Sequence, residues 1–155
     1  MTTDLQPLLA RLTLLEDREA IRELKALYCD ICDDGHNPDR ITAIFGEDGV
    51  WESDRHGKFV GHDAIRAQFA RFGKAIRFSQ HMITNPMITV SGDTATARWY
   101  FLSPMDFRGE PRWSFVRYDD EYVRLADGWK FRHTHVTLRM DAPHLGGWPT
   151  AGSAG

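Results

Sequence analysis

Apolar residues recur every three or four positions near the start of the chain, in two consecutive stripes. The first stripe is Leu5, Leu8, Leu9, Leu12 and Leu15, and the second is Ala20, Ile21, Leu24, Leu27, Tyr28 and Ile31. This spacing places the members of a stripe on one face of an α-helix. We therefore predict one long helix that ends at Asp34-Gly35, because glycine readily adopts the left-handed conformation of a helix end.

Two shorter helices are predicted next. Asn37-Pro38 is typical of a helix start, since asparagine caps free N–H groups and proline suits the first helical position. Asp63 lies near the start of the other helix, where a carboxylate is favourable. Their apolar faces are Ile41, Ile44 and Phe45 in the first helix, and Ile65, Phe69 and Phe72 in the second. Between these helices we predict short strands at Val50-Trp51-Glu52 and Phe59-Val60.

The second half of the chain alternates between apolar and polar positions, which is typical of strands. Ser91-Gly92-Asp93 and Ala126-Asp127-Gly128 predict the turns of two hairpins. Helices followed by strands indicate an α+β fold. We expect the N-terminal helices to pack in the concave face of a strongly curved, mixed, mostly antiparallel sheet, a cone-shaped α+β barrel. Residues 1–140 would form one domain, and residues 141–155 a tail that covers the mouth of a pocket, with a disordered end.

Composition narrows the class of protein. The 155-residue chain carries a net charge of −3, and its acidic and basic residues are interspersed. Because no basic patch is present, a nucleic-acid partner is not expected. No apolar run approaches the ~18 residues of a membrane helix, and the start Met1-Thr2-Thr3-Asp4 lacks the basic region of a signal peptide. We therefore expect a cytoplasmic protein with no membrane partner.

The two cysteines, Cys29 and Cys32, have C-x-x-C spacing. We do not interpret them as a redox or zinc motif. They lie late in a helical pattern with no strand before it, and no second cysteine pair completes a zinc site. We interpret both as small, semi-buried side chains.

Four segments together resemble the nuclear-transport-factor-2-like superfamily, specifically its SnoaL-like branch. They are Ile21-x-x-Leu24-x-x-x-Tyr28 with Asp33 and Asp39-Arg40-Ile41, Phe45 to Trp51, Gly61 to Arg66, and the hairpins ending in Asp127 to Phe131. The resemblance implies a pocket for a small apolar or aromatic ligand, no cofactor, no metal, and a homodimer or homotrimer. Its members include scytalone dehydratase, ketosteroid isomerase, polyketide cyclases and structural small subunits of ring-hydroxylating dioxygenases.

The resemblance to scytalone dehydratase implies catalytic roles for Asp33 and His81. Asp33 falls where that family has a pocket aspartate, and His81 falls where it has a catalytic histidine. Cys32 replaces the expected tyrosine, and no histidine stands near Trp113 to Phe115, where a second one is expected. A carboxylate that binds one imidazole nitrogen raises the basicity of the other. In the alternative interpretation, Asp33 caps a helix end and His81 is a packed strand histidine.

Other residues are candidates for the pocket wall. Tyr28 aligns with the tyrosine of ketosteroid isomerase that donates to the substrate oxygen, or it is a core tyrosine. His133 and His135 share one strand face with Trp129 and Phe131 by their spacing, so His133 is a candidate for the pocket. Aromatic strand residues form walls for ring-shaped ligands, or plain core. The candidates are Trp51, Trp99, Trp113 and Phe115.

The sequence therefore predicts a cofactor-independent lyase or isomerase acting on a small cyclic or aromatic, polyketide-like substrate. His81, oriented by Asp33, would transfer the proton, and Tyr28 would donate a hydrogen bond. A non-catalytic ligand-binding domain and a structural subunit are the alternatives. Because apolar residues occur on both faces of the predicted sheet, we expect self-association.

Overall fold

The computed structural model describes residues 4–148, so the prediction for the end of the tail lies outside the described residues. Helix α1 (Gln6–Asp33) forms as one 28-residue element. The first leucine stripe is exposed, and burial begins only at Asp17 and Ile21. The first turns of α1 therefore extend beyond the body of the protein, and its second half packs against the sheet.

Two shorter helices follow, as the sequence predicts. In α2 (Pro38–Ala43) the side chain of Asn37 accepts hydrogen bonds from the N–H groups of Asp39 and Arg40. Helix α3 (Gly61–Ala75) continues two residues past Gly73, although glycine often ends a helix. None of the helices between residues 4 and 148 combines the length and the apolarity that crossing a membrane requires.

Seven strands form one mixed sheet in the order β2-β1-β7-β6-β5-β3, with β4 also paired to β5. The strands are β1 (Phe45–Ser53), β2 (Gly57–Val60), β3 (Ile76–Ser79), β4 (Met82–Ser91), β5 (Thr94–Phe107), β6 (Glu110–Leu125) and β7 (Gly128–Pro143). Strand β1 runs parallel to β7, and every other pair is antiparallel. The sheet curls into a half-barrel around the helices, which is the predicted α+β cone.

Two irregularities in the sheet position the site. The chain leaves the sheet at Gln80 and His81, between β3 and β4, which both pair with the same edge of β5. The segment from Ile76 to Thr84 is therefore divided between two strands. Further along, a register shift opens in β7 between Phe131 and His133. Such a bulge exchanges the faces to which the following side chains point.

Candidate active site

A cavity opens between the concave face of the sheet and helices α1 and α3. Its volume is about 790 Å³, including the space at its open mouth. Aromatic rings form much of its wall, among them Tyr28, Trp51, Phe69, Phe72, Phe101, Phe107 and Tyr118. The cavity agrees with the apolar pocket that the sequence predicts, because an aromatic wall excludes water and accepts ring-shaped molecules.

Asp33 and His81 meet at the wall of this cavity. The Nδ1 atom of His81 lies 2.5 Å from Oδ1 of Asp33. The backbone N–H of His81 donates to Oδ2 over 2.7 Å, and the Ser79 hydroxyl donates to Oδ1 over 3.0 Å. Asp33 is the last residue of α1, and His81 lies in the break between β3 and β4. The break allows the His81 ring to turn inward, onto the ring of Phe101 at 4.7 Å between centroids.

The environment keeps the Asp33 carboxyl group ionised. Burial by itself raises the pKa of Asp33, but the hydrogen bonds from His81 and Ser79 outweigh it and hold this pKa below its usual value. Only 7% of the His81 side chain is exposed, against 28% for Asp33. Because Nδ1 is committed to the carboxylate, Nε2 is the nitrogen of His81 that remains for a ligand.

Beside the pair, His36 contributes a second imidazole to the cavity wall, which sequence reasoning missed. Its ring centroid lies 6.2 Å from that of His81 and 5.7 Å from that of Phe72. The side chain is buried, and its Nδ1 has no hydrogen-bond partner among the described residues. Burial lowers the pKa of His36 to about 3, so the imidazole is neutral. Its only sequence signal is its place between a helix-ending glycine and a capping asparagine.

The backbone at His36 is also unusual. The residue has a φ of 57°, directly after Gly35 at 72°. A residue other than glycine in this left-handed region costs on the order of 1 kcal/mol. A buried nitrogen without a partner costs about 1–3 kcal/mol more. Two unfavourable features therefore coincide at one cavity-lining residue.

Tyr28, predicted as an auxiliary donor, lies in the cavity wall together with Trp51. The Trp51 indole N–H donates to the Tyr28 hydroxyl over 2.9 Å, which leaves the Tyr28 proton for another acceptor. Burial raises the pKa of Tyr28 well above its usual value. Cys32 also lines the cavity, and burial likewise raises its pKa, so its thiol stays protonated. Cys29 and Cys32 are both buried and free.

The other end of the cavity is charged. Arg55 and Arg112 line it and share the carboxylate of Asp141, at 2.6 Å and 2.9 Å. Hydrogen bonds from both arginines outweigh the effect of burial and keep the pKa of Asp141 low. Neither arginine was among the residues that the sequence predicted for the site. Arg112 also lies 3.2 Å from the carboxylate of Glu110, so the two arginines face two carboxylates and their charges are balanced.

Trp113 and Phe115 do not line the cavity, which corrects the sequence prediction. In β6 the buried, inward side chains are the even-numbered ones, including Ser114 and Val116. The odd-numbered Trp113 and Phe115 therefore point to the outer face. Strand alternation shows which residues share a face, but not which face is inside. Ser114, between them, is the residue that reaches the cavity.

His133 is also placed outside the cavity, because of the bulge in β7. Trp129 and Phe131 point into the core, but after the register shift Thr134 and Val136 do so, and His133 and His135 face outward. Their Nε2 atoms lie 2.9 Å from Glu52 and 2.8 Å from Asp54. Among residues 4–148, no three His, Cys, Asp or Glu side chains converge as metal ligands would.

Trp99 faces inward, but it lies outside the cavity. It stands one inward position before Phe101 along β5, and its indole is buried next to the groove that Lys25 and Cys29 line. Asp141, at the start of the predicted tail, binds Arg55 and Arg112 at the charged end of the cavity, although none of residues 141–148 is among those that line it. Trp148 donates to the Met105 carbonyl and packs edge-on against the outward ring of Trp113. Between residues 141 and 148 the tail therefore reaches both the charged end of the cavity and the outer face of the hairpin.

Comparisons with known proteins agree with this fold. An uncharacterized protein of Mycobacterium tuberculosis (strain H37Rv) is 40% identical over 120 residues, which cover 75% of this chain and 81% of the relative. A crystal structure described as a candidate aromatic ring hydroxylase of Novosphingobium aromaticivorans is 28% identical, with a TM-score of 0.77 over 85% of this chain and 96% of that one.

Two further crystal structures are similar in fold. One is described as a candidate scytalone dehydratase of Novosphingobium aromaticivorans, with 24% identity and a TM-score of 0.78 over 85% of this chain and 90% of that one. The other is a hexachlorocyclohexane dehydrochlorinase of Novosphingobium barchaimii, with 20% identity and a TM-score of 0.82 over 90% and 98% of the two chains. Residues 13–135 match the SnoaL-like domain along most of the sequence. The chain therefore belongs to the SnoaL-like domain family, within the nuclear-transport-factor-2-like superfamily.

Proposed function

We propose that this protein is a cofactor-independent lyase or isomerase that removes a proton from carbon in a small cyclic or aromatic substrate. The observation that carries the proposal is the Asp33–His81 pair at the wall of an apolar cavity. A carboxylate at Nδ1 holds the proton on that nitrogen and stabilises the imidazolium that forms when Nε2 accepts a proton. His81 would therefore act as the general base and later return the proton as the acid.

The surroundings of the pair support this role. The aromatic wall keeps water away from the reacting carbon, which strengthens polar interactions inside the cavity. Tyr28 would donate to a substrate oxygen, since its own oxygen already accepts from Trp51. Two structures of similar fold are named as a dehydratase and a dehydrochlorinase. Both names describe eliminations, and proton removal from carbon is a step that eliminations and isomerisations share.

Proton abstraction can be tested without the natural substrate. The chain would be incubated with 1-indanone in D₂O, and exchange of the acidic C2 protons would be followed by NMR. We expect exchange well above the buffer rate. H81Q and D33N should lower it by about 10²- to 10⁴-fold, the usual contribution of a positioned base. H62Q is the matched control, because His62 binds the Phe45 carbonyl and does not line the cavity.

Two results would contradict the proposal. One is exchange no faster than buffer with 1-indanone, 2-tetralone and cyclohexanone, and the other is full exchange by folded H81Q. A ligand-binding role is the second candidate, because the three hydrogen bonds to Asp33 also fasten the end of α1 to the break between β3 and β4. In that case H81Q would bind 1-indanone and no variant would exchange it.

A further inference from the structure

His36 is a buried polar residue in largely aromatic surroundings. Its ring is surrounded by Phe69 and Phe72 of α3 and by His81, and its Nδ1 has no hydrogen-bond partner among the described residues. An aliphatic or aromatic side chain would suit these neighbours better. The left-handed backbone at φ 57° would be better served by glycine or asparagine. Neither packing nor backbone conformation therefore explains a histidine at this position.

The place of His36 relative to the Asp33–His81 pair suggests what it does. Both imidazoles line the same cavity, and their centroids are 6.2 Å apart. This separation is too short for a substrate ring to lie between them. It suits two imidazoles that reach neighbouring atoms of one molecule, each about 3 Å from its own ring nitrogen. If one carbon of a bound molecule lies at Nε2 of His81, an atom bonded to that carbon would therefore lie at His36.

We propose that His36 is the hydrogen-bonding subsite for an oxygen of the substrate, so that the cavity selects cyclic compounds with a carbonyl group next to the reacting carbon. The assignment of the reacting carbon rests on the proposed function. His81 takes the proton from that carbon, and the electron pair of the C–H bond moves into the carbon–carbon bond while the carbonyl becomes an enolate. The His36 N–H donates to the enolate oxygen and keeps its proton. Return of the proton from His81 to carbon restores the charge balance.

A neutral imidazole is suited to this task. It carries one N–H donor and one lone pair, and the low pKa of the buried ring keeps it uncharged over the usual pH range. A neutral donor stabilises negative charge that develops during reaction, without attracting an anion in the ground state. Halogenated rings offer a weaker acceptor than a carbonyl oxygen, so the subsite would favour oxygenated substrates.

The test compares 1-indanone with indane, which has the same rings and lacks the oxygen. Dissociation constants would be measured by isothermal titration with the full chain, for the wild type and for H36G, H36N and F72L. Glycine relieves the left-handed backbone, so H36G should fold, and asparagine keeps an N–H donor. F72L is the control, because it alters the cavity wall beside His36 without changing a hydrogen-bonding group.

We expect H36G to shift the indanone-to-indane ratio of dissociation constants by about fivefold to tenfold toward the hydrocarbon, the range for loss of one neutral hydrogen bond. H36N should retain part of the preference, and F72L should change both constants by a similar factor. The proposal is overturned if H36G keeps the wild-type ratio, or if neither compound binds. Binding does not require catalysis, so a shift in H36G without any deuterium exchange would support the subsite and refute the proposed function.

Discussion

At the scale of single residues, His36 links the site to the stability of the protein. In the unfolded chain its imidazole has a pKa of about 6.5, whereas burial lowers that pKa to about 3 in the folded state. Between these values the unfolded chain binds a proton that the folded chain does not. The free energy of unfolding therefore falls as the pH decreases from about 6.5 to about 3, by at most about 1.4 kcal/mol per pH unit.

This linkage predicts a difference between the wild type and H36N. Urea unfolding would be measured from pH 7 to pH 4. Since asparagine does not titrate, H36N should gain stability relative to the wild type steadily as the pH falls below about 6.5. His81 and Asp33 also face His36. The wild type and H36N both retain these two residues, so the effect of the pair on the stability difference is small. A stability difference that is constant over this pH range would contradict the burial of a neutral imidazole.

At the scale of elements, a buried ion pair fastens α1 to the sheet. Lys25 of α1 and Asp120 of β6 are almost fully buried, with Nζ 2.9 Å from Oδ2. Thr134 and Tyr122 donate to the same carboxylate at 2.6 Å and 2.9 Å, and Nζ lies 3.4 Å from the centroid of the Tyr118 ring. This network sets the position of α1, and with it the place of Asp33 two turns later.

Removal of one partner should be more harmful than removal of both charges. K25M leaves the Asp120 carboxylate buried without its cation, which costs about 3–5 kcal/mol. In K25M/D120N the remaining amide is neutral. The double variant should therefore lose less free energy of unfolding than K25M and D120N lose together. Chemical denaturation of the four proteins completes this double-mutant cycle. Additive losses would show that the two side chains do not stabilise each other.

The elements were largely predictable from sequence, whereas the faces of the strands were not. Helical spacing and the Asn37-Pro38 cap identify α1 and α2 because these signals are local. By contrast, one bulge before His133 reverses the faces of the β7 residues that follow, up to a second register shift between Leu138 and Met140. No local signal marks either shift. The site depends on pairings distant in sequence, such as Asp33 with His81. Only the family resemblance pointed to that pair, and nothing pointed to His36.

At the scale of the whole molecule, the curled sheet leaves an outer face that the helices do not cover. Leu102 pairs with Phe115, and Phe115 with Met140, so these outward side chains form a short apolar row across β5, β6 and β7. The alternation that turns Phe115 away from the cavity thus places it on this row. Apolar surface of this kind is often covered by association of protein chains.

We therefore retain the expectation of a homodimer or homotrimer, with the outer face of the sheet in the interface. M140K places a charge at the β7 end of the apolar row, and Met140 is 50% exposed, so the folded monomer should tolerate it. Sedimentation velocity should show an oligomer for the wild type and a shift toward monomer for M140K. L145K is the control, because Leu145 is 94% exposed and lies beyond the end of β7. A monomeric wild type, or equal association of M140K and the wild type, would show that this face is not a subunit interface.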